Sequence, residues 1–287
     1  MSHVVEGDRG LTGLAGLWAG SRDRLRGSPR LRRSFAAWAV LGLVLTEAFA
    51  VGVAQLQSPR AALIAAVAAL AWWLAVTAVP LIGAALLTTP GGTPVDRLGA
   101  PNGLTAMRAY SCAGLICCAF LSTPHRLGFI LWGTIGAIAA LFDLLDGWIA
   151  RRFGPVTRLG QALDPVMDCV FFSMAAVGNV ALGIVPAWLG GLMLARYLGP
   201  LLFGVGFQLY GRRPELSATE WGKRNTVLTG AVLAILLVVR SVDGPVGPVA
   251  LALGVPLLGT TTLLHFAVMA RRERDAPVAR ASHPTGP

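Results

Sequence analysis

The stretch LFDLLDGWIARRFGPVTRLGQALDPVMDC, residues 141–169, decides the fold and the chemistry of this chain. Its four aspartates, Asp143, Asp146, Asp164 and Asp168, fall at the end of one long apolar segment and at the start of the next. Carboxylates in membrane helices are costly, so four of them within 26 residues have to be neutralised together. Divalent cations are the obvious partner, because Mg²⁺ and Mn²⁺ accept ligand sets made of oxygen atoms alone.

The composition is that of a membrane protein with several spans. Of the 287 residues, 55% are hydrophobic and 13% are charged, whereas a soluble domain carries about 25% charged residues. The formal net charge is +10, and most of the arginines lie in the terminal segments and in the loops between apolar segments. This pattern indicates the positive-inside rule and attraction to anionic lipid headgroups, and it argues against nucleic acid as a partner. The preference for Arg over Lys is typical of bacteria with a high GC content.

Several apolar segments are long enough to cross a bilayer, which takes about 20 residues each. We therefore predict an all-α, polytopic integral membrane protein with about eight transmembrane helices. The predicted spans are 36–56, 61–88, 103–122, 127–147, 160–182, 186–208, 223–241 and 247–270.

The basic residues predict the orientation of these spans. If the N-terminus is cytoplasmic, the outside loops hold only Arg60, Arg126 and Arg240, and all other basic loop and terminal residues lie inside. Such an asymmetry orients membrane proteins. We therefore expect a multi-pass protein of the bacterial plasma membrane, with both termini and the aspartate cluster facing the cytoplasm.

The chain is expected to have five parts. Residues 89–102 are rich in Pro and Gly, which is typical of a linker. The arginines at 22, 24 and 26 follow a short amphipathic stretch, which indicates contact with anionic lipid or a plain topology signal. The predicted parts are a basic cytoplasmic segment (1–34), two additional helices (35–88), the linker (89–102), a six-helix core (101–270) and a disordered cytoplasmic tail (271–287).

Helical periodicity predicts that the motif residues form two facing stripes, because neighbours at i+3 and i+4 share a face. The stripe near the end of the fourth span holds Asp143, Asp146, Gly147 and Ala150. The stripe at the start of the fifth span holds Gly160, Asp164 and Asp168. A turn around Pro155 would bring them together as a cup of four carboxylates. Two divalent ions would balance its charge and suit phosphoryl chemistry.

The full spacing, including Arg151 after Ala150, resembles the signature of the CDP-alcohol phosphotransferases. That resemblance implies an integral-membrane enzyme of phospholipid biosynthesis with a six-helix core. It implies transfer of a phosphatidyl group from CDP-diacylglycerol, or a related CDP-alcohol, onto an acceptor alcohol, with release of CMP. It further implies two Mg²⁺ or Mn²⁺ ions held by the four aspartates, Asp168 as the catalytic base, and a homodimer.

Small and polar residues beside the aspartates predict a nucleotide site. Gly147, Ala150 and Gly160 lack bulk, so a cytidine or pyrophosphate could approach the backbone, although helix packing alone also favours small residues. Arg151 is a candidate phosphate ligand. The stretch Pro101-Asn102-x2-Thr105-x2-Arg108 resembles the opening of the first core helix in the family. Asn102 and Thr105 are therefore candidate nucleotide ligands, with helix capping as the alternative.

Basic residues elsewhere predict an acceptor or phosphate site. Arg108 belongs to the stretch just described, and Gly222-Lys223-x2-Thr226 resembles the opening of the fifth core helix. Lys223 is the only lysine in the chain, which disfavours a generic topology charge. Arg196 lies inside a span, where an arginine is a functional candidate. We assign Arg108, Arg196, Lys223 and Thr226 to this site.

The motifs look most similar to the phosphatidylglycerophosphate synthase branch, which predicts glycerol 3-phosphate as the acceptor. That branch and the cardiolipin synthases usually have a lysine after the fourth aspartate, and the inositol-phosphate branch an arginine, whereas this chain has Cys169. Inositol phosphate and phosphatidylglycerol therefore stay open as acceptors. A polytopic cation-coupled transporter is the alternative of another class, and it predicts carboxylates near the bilayer midplane.

Overall fold

The computed structural model describes residues 14–120, 125–153, 156–209 and 220–275, and almost all of them are helical. Short 3₁₀ and π segments, Ala84–Leu86 and Gly254–Gly259, follow α3 and α9. The helices are α1 (Leu14–Gly27), α2 (Pro29–Gln55), α3 (Pro59–Ile82), α4 (Gly99–Phe120), α5 (His125–Phe153), α6 (Arg158–Ala181), α7 (Ala187–Leu209), α8 (Glu220–Ser241), α9 (Val246–Leu253) and α10 (Thr260–Asp275).

The predicted fold class is confirmed. Within the described residues, seven segments are long and apolar enough to cross a membrane, and each coincides with a predicted span. The remaining predicted span, 186–208, coincides with α7, a helix of 23 residues. The chain is therefore a polytopic, all-α membrane protein.

Helix boundaries differ from the predicted spans where polar caps extend the helices. α2 begins at Pro29, well before the predicted 36, because the Ser28 side chain accepts a hydrogen bond from the Leu31 N–H and caps the helix. Ser58 caps α3 in the same way. α10 continues to Asp275, past the predicted end at 270, because Arg and Glu are good helix formers. The rest of the predicted tail lies outside the described residues.

Contacts divide the chain into two compact units, Met1–Ala181 and Leu182–Pro287. The first unit contains α1–α6, and the second contains α7–α10. The boundary between the two units falls after α6. The predicted boundaries at residues 34, 88 and 102 are not tested by it and stay predictions.

The first unit is built around α4. This helix packs against α2, α3, α5 and α6, and almost every residue from Asn102 to Cys118 is buried. Small residues allow the close approach: Gly103 faces the indole of Trp38, and a Cβ at Gly103 would clash with that ring. Small residues permit such contacts between membrane helices. The polar side chains at the start of α4 are thereby held inside the unit.

One N-terminal arginine lies differently from the sequence expectation. The sequence predicts contact with anionic lipid or a plain topology signal for Arg22, Arg24 and Arg26, but the Arg24 guanidinium donates to the backbone carbonyls of Leu87 and Val95, after α3. Arg22 and Arg26 are exposed, as expected.

Candidate active site

The four motif aspartates lie together in the first unit, on α5 and α6. α5 carries Asp143 and Asp146 in its last third, and α6 carries Asp164 and Asp168 in its first half. The carboxylates are close enough to influence one another electrostatically. The predicted meeting of the two stripes is therefore seen in the structure.

Arg108 of α4 joins one carboxylate from each helix. Its guanidinium forms an ion pair with Asp143 through one terminal nitrogen, and with Asp168 Oδ1 at 2.6 Å through the other. The Arg108 side chain is only 2% exposed, whereas those of Asp143 and Asp168 are 51% and 44% exposed. The arginine thus holds the acids from the buried side and leaves them open on the other. Its predicted role in binding phosphate stays a prediction.

Thr105, one turn earlier on α4, joins the second pair of carboxylates. Its hydroxyl lies 2.7 Å from Asp146 Oδ2 and 3.3 Å from Asp164 Oδ1. The same hydroxyl lies 3.1 Å from the Pro101 carbonyl, the usual partner of a threonine in a helix. A hydroxyl has one proton to donate, so Thr105 donates to one of these oxygens at a time and lies between α5 and α6 at the level of Asp146 and Asp164.

The cluster suits divalent cations by its charge and its donor atoms. Four carboxylates face one buried guanidinium, so most of the negative charge is not balanced by that arginine. All the donors are oxygen atoms, the set that Mg²⁺ and Mn²⁺ accept. Among the described residues, no three acidic, histidine or cysteine side chains are close enough to enclose one ion. Arg108 and Thr105 each contact one pair of the acids.

An open cleft of about 70 Å³ adjoins the carboxylates. It passes between the first turns of α4 and α6 and the last turns of α5. The predicted small residues line it, as do both predicted polar residues of α4. The lining residues are Pro101, Asn102, Thr105, Asp146, Gly147, Ala150, Val156, Thr157, Gly160 and Asp164.

One wall of this cleft is a hydrogen-bonded cluster at the start of α6. Thr157 caps the helix, because its hydroxyl accepts a hydrogen bond from the Gly160 N–H at 3.0 Å. The Asn102 amide donates to that hydroxyl at 3.2 Å and to the Leu98 carbonyl at 2.6 Å. A Cβ at Gly160 would lie 2.6 Å from Asn102 Oδ1. The absence of a side chain at Gly160 therefore lets α6 approach Asn102.

Sequence reasoning missed Thr157 and Val156, which line the cleft. A signal for Thr157 was present, because a threonine directly before a helical pattern is typical of an N-cap. Its partnership with Asn102 could not be predicted, since the two residues are far apart in the chain.

Four predicted site residues remain, namely Arg151, Arg196, Lys223 and Thr226. The side chains of Arg151 and Lys223 lie outside the described part of the structure. Arg196 and Thr226 belong to the second unit. Arg196 is buried on α7, and its guanidinium lies 5.5 Å from the centre of the Tyr197 ring.

The second unit has its own small cavity, of about 10 Å³, whose lining includes the polar residues Arg196, Tyr197, Asn225 and Thr229. The Asn225 amide donates to the Thr261 hydroxyl and, at 3.3 Å, to the Thr262 hydroxyl. The π segment Gly254–Gly259 precedes these threonines, and such segments often occur at functional sites.

The family follows from a direct comparison. A model of CDP-alcohol phosphatidyltransferases matches residues 98–259, which include α4–α6 and every predicted site residue. The chain belongs to the CDP-alcohol phosphatidyltransferase family. It is therefore a membrane-bound transferase, and the transporter alternative is not supported.

This phosphatidyltransferase is similar to several named relatives. A probable phosphatidylglycerophosphate synthase of Mycobacterium tuberculosis (strain CDC 1551 / Oshkosh) is 28% identical over 61% of this chain and 81% of its own length. A CDP-diacylglycerol--glycerol-3-phosphate 3-phosphatidyltransferase of Bacillus subtilis (strain 168) is 31% identical over 41% of this chain and 58% of its own length. A CMP-forming cardiolipin synthase of Streptomyces coelicolor is 30% identical over 50% of this chain and 68% of its own length. No solved structure matches the chain.

Proposed function

We propose that this phosphatidyltransferase moves the phosphatidyl group of CDP-diacylglycerol onto glycerol 3-phosphate, with release of CMP. The observation that carries the proposal is the cleft that joins the predicted nucleotide residues to the four aspartates. The acceptor is inferred from the relatives in Mycobacterium tuberculosis and Bacillus subtilis, which are named for that reaction or its product.

The donor nucleotide is assigned to the cleft. Asn102, Gly147, Ala150 and Gly160 line a space without bulky side chains, which suits a flat base or a close approach of phosphate to backbone. The first turn of α6 also borders the cleft, and a helix N-terminus favours anionic groups. Thr105 contributes at the boundary with the carboxylates, and Arg151 is the proposed phosphate ligand on α5.

The aspartates are proposed to hold two Mg²⁺ or Mn²⁺ ions through Asp143, Asp146, Asp164 and Asp168. When bound, such ions neutralise the charge that develops on phosphoryl oxygens. Arg108 adds one fixed positive charge on the buried side of the cluster. Its contact with one acid from each helix keeps α5 and α6 at a constant spacing on the ligand side.

Asp168 is proposed to accept the proton of the acceptor hydroxyl. As that oxygen bonds to the lipid-side phosphorus, the bond from phosphorus to the bridging oxygen breaks and CMP leaves with the electron pair. Arg108 engages Oδ1 of Asp168 at 2.6 Å, so Oδ2 is the oxygen assigned to the proton. A fixed base of this kind contributes about 10²–10⁴-fold to a rate.

The acceptor phosphate is assigned to Arg196, Lys223 and Thr226. Arg196 is a buried cation beside a small cavity, and arginine binds phosphate through two parallel hydrogen bonds. Cys169, which stands where related branches carry a basic residue, is buried and supplies no charge. The acceptor charge must therefore be met elsewhere, and these three residues are the candidates.

The orientation follows from the arginine distribution. We place the cleft and both termini on the cytoplasmic side of the bacterial plasma membrane, because the loops on that side carry most of the basic residues. This is also the side on which CDP-linked substrates are made.

The test is CMP release by the purified full chain from CDP-diacylglycerol with Mn²⁺ or Mg²⁺, against a panel of acceptors. Glycerol 3-phosphate should support release and yield a lipid with the mass of phosphatidylglycerophosphate. Inositol phosphate and phosphatidylglycerol are the alternatives, and release with either one alone would overturn the proposed acceptor. Asp143→Ala should abolish release with every acceptor.

A further inference from the structure

The helices before the family match pack directly against the helix that lines the cleft. The match begins at residue 98, so α1–α3 are additional to it. The Trp72 indole donates to the Ala109 carbonyl at 2.9 Å, and the Thr77 and Tyr110 hydroxyls lie 2.8 Å apart. α2 and α3 are therefore part of the support of α4.

The first helix, α1, is joined to the end of α3 through a buried serine. The last carbonyls of a helix have no partners within it. The Ser21 hydroxyl donates to the Ile82 carbonyl at 2.6 Å and accepts from the Ala85 N–H at 2.8 Å. Ser21 is fully buried, so these two bonds fix α1 on the segment that follows α3.

Arg24, three residues later, binds the same segment through four backbone carbonyls. One terminal nitrogen donates to the Leu87 carbonyl at 2.9 Å, and more weakly to those of Ala84 and Ala85. The other donates to the Val95 carbonyl at 3.0 Å. A single guanidinium thus joins both ends of residues 84–95.

This α3–α4 connection (residues 83–98) is ordered by its own backbone. The Val95 N–H donates to the Leu87 carbonyl at 2.8 Å, and the Thr89 N–H to the Thr93 carbonyl at 2.9 Å. Gly92 turns the chain with a φ of 85°, a conformation that glycine adopts without strain. The connection is a folded turn, although its Pro and Gly content predicted only a linker.

The connection contacts the first turn of α6. The Arg158 N–H donates to the Thr88 carbonyl at 2.9 Å, and the Arg158 side chain donates to the Pro90 carbonyl at 3.3 Å. Arg158 is the first residue of α6 and directly follows Thr157, which lines the cleft.

The connection also reaches the first turn of α4. The Leu98 N–H donates to the Ser34 hydroxyl at 3.1 Å, and the Leu98 carbonyl accepts from the Asn102 amide at 2.6 Å. Leu98 therefore couples α2 on one side to a cleft residue on the other. Both walls of the cleft are bonded to a segment that α1 holds.

We propose that Arg24 and Ser21 are positioning residues for the nucleotide cleft. They fix the α3–α4 connection, and the connection sets the spacing of Asn102 on α4 and Thr157 on α6. The helices before residue 98 then serve as a scaffold of the donor site. This inference rests on the proposed nucleotide site, and it assigns to α1 a role besides contact with lipid.

The test compares Arg24→Gln with Arg26→Gln in the purified full chain. Arg26 lies on the same helix and is exposed, so its variant removes the same charge without touching the connection. CMP affinity is measured by titration calorimetry, and KM and kcat by CMP release. Arg24→Gln should weaken CMP binding and raise the KM for CDP-diacylglycerol by about tenfold, equivalent to about 1.4 kcal/mol. Its kcat should stay within about twofold of the wild-type value, because the carboxylates are unaffected.

Three outcomes would overturn the proposal. Unchanged CMP affinity in Arg24→Gln would show that the contacts of Arg24 with the α3–α4 connection do not influence the cleft. Equal losses of CMP affinity in Arg24→Gln and Arg26→Gln would show that the effect comes from surface charge and not from the contacts of Arg24. A loss of kcat with KM unchanged would show a general loss of structure. Because CMP binding needs no acceptor, failure of glycerol 3-phosphate as a substrate would leave the calorimetric comparison of the two variants intact.

A second variant keeps the test decisive if Arg24→Gln does not fold. Ser34→Ala removes only the bond to the Leu98 N–H. It should weaken CMP binding by about threefold, since one hydrogen bond contributes about 1 kcal/mol or less. Affinity equal to that of the wild type would contradict the coupling through Leu98.

Discussion

The buried helix α4 and the two aspartate-bearing helices, α5 and α6, have different roles in the site. Within the membrane-length segments, 78% of α4 is buried, compared with 28% of α5 and 44% of α6. α4 contains no acidic residue, yet its Arg108 and Thr105 each contact one carboxylate from α5 and one from α6. The motif helices thus carry the reacting groups, and the helix without acids orders them.

This comparison predicts that changes to the aspartates of α5 and α6 remove chemistry, and that changes to α4 or to the residues packed on its first turn alter order and affinity. The largest effect is expected for Asp168→Asn. CMP release should fall by about 10²–10⁴-fold, because the amide cannot accept the proton. The melting temperature should stay close to that of the wild type, since the side chain keeps its size. Full metal-dependent turnover by folded Asp168→Asn protein would show that Asp168 is not the base.

Arg108→Met is expected to have the next largest effect, lowering both the melting temperature and the rate of CMP release. Removal of a buried cation leaves Asp143 and Asp168 facing each other without their shared partner, which is destabilising. We expect the melting temperature to fall by about 5 °C, and Mn²⁺ to restore part of the loss by supplying positive charge. Differential scanning fluorimetry in detergent with and without Mn²⁺ measures both effects.

Arg97→Met is the matched control for Arg108, because the Arg97 side chain is 72% exposed. Its melting temperature should equal that of the wild type. If Arg108→Met melts no lower than this control, α4 does not order the carboxylates.

Gly160→Ala should have the smallest effect of the three. The new Cβ would lie 2.6 Å from Asn102 Oδ1, so the amide must turn away from its place in the cleft. We expect the KM for CDP-diacylglycerol to rise about five- to tenfold, equivalent to about 1 kcal/mol. The kcat should change little because the carboxylates are untouched.

Gly136→Ala on α5 is the control for the glycine substitution, because nothing lies within 4 Å of a Cβ at that position. It should leave KM unchanged and raise stability slightly, since Ala is the better helix former. Equal KM values for Gly160→Ala and Gly136→Ala would contradict the inferred close approach of α6 to Asn102 at Gly160.

The sequence predicted the spans and the meeting of the four aspartates well. Hydropathy measures the cost of leaving residues in water or lipid, and helical periodicity places Asp143 beside Asp146, and Asp164 beside Asp168. Neither pattern says which helices are neighbours. The contacts of Arg108 with α5 and α6 connect residues 35 and 60 positions apart, and no local pattern encodes them.

The role of α1 was missed for a related physical reason. Arg24 and Arg26 look alike in a basic stretch, and positive charge at a membrane surface is sufficient to explain both. Only the fold reveals that the Ser21 hydroxyl bonds to the last carbonyl of α3 and that Arg24 bonds to carbonyls of the segment that follows it. A cap made by a distant helix leaves no mark in local sequence, whereas the Ser28 and Ser58 caps do.

The central claim is that the four carboxylates form one divalent-cation centre. Its most direct test is equilibrium binding of Mn²⁺ to the purified full chain, followed by the electron paramagnetic resonance signal of free Mn²⁺. We predict that the wild-type chain binds two ions, and that Asp143→Asn and Asp164→Asn each lose at least one of them. A wild-type chain that takes up no Mn²⁺, or variants that bind as many ions as the wild type, would contradict the account.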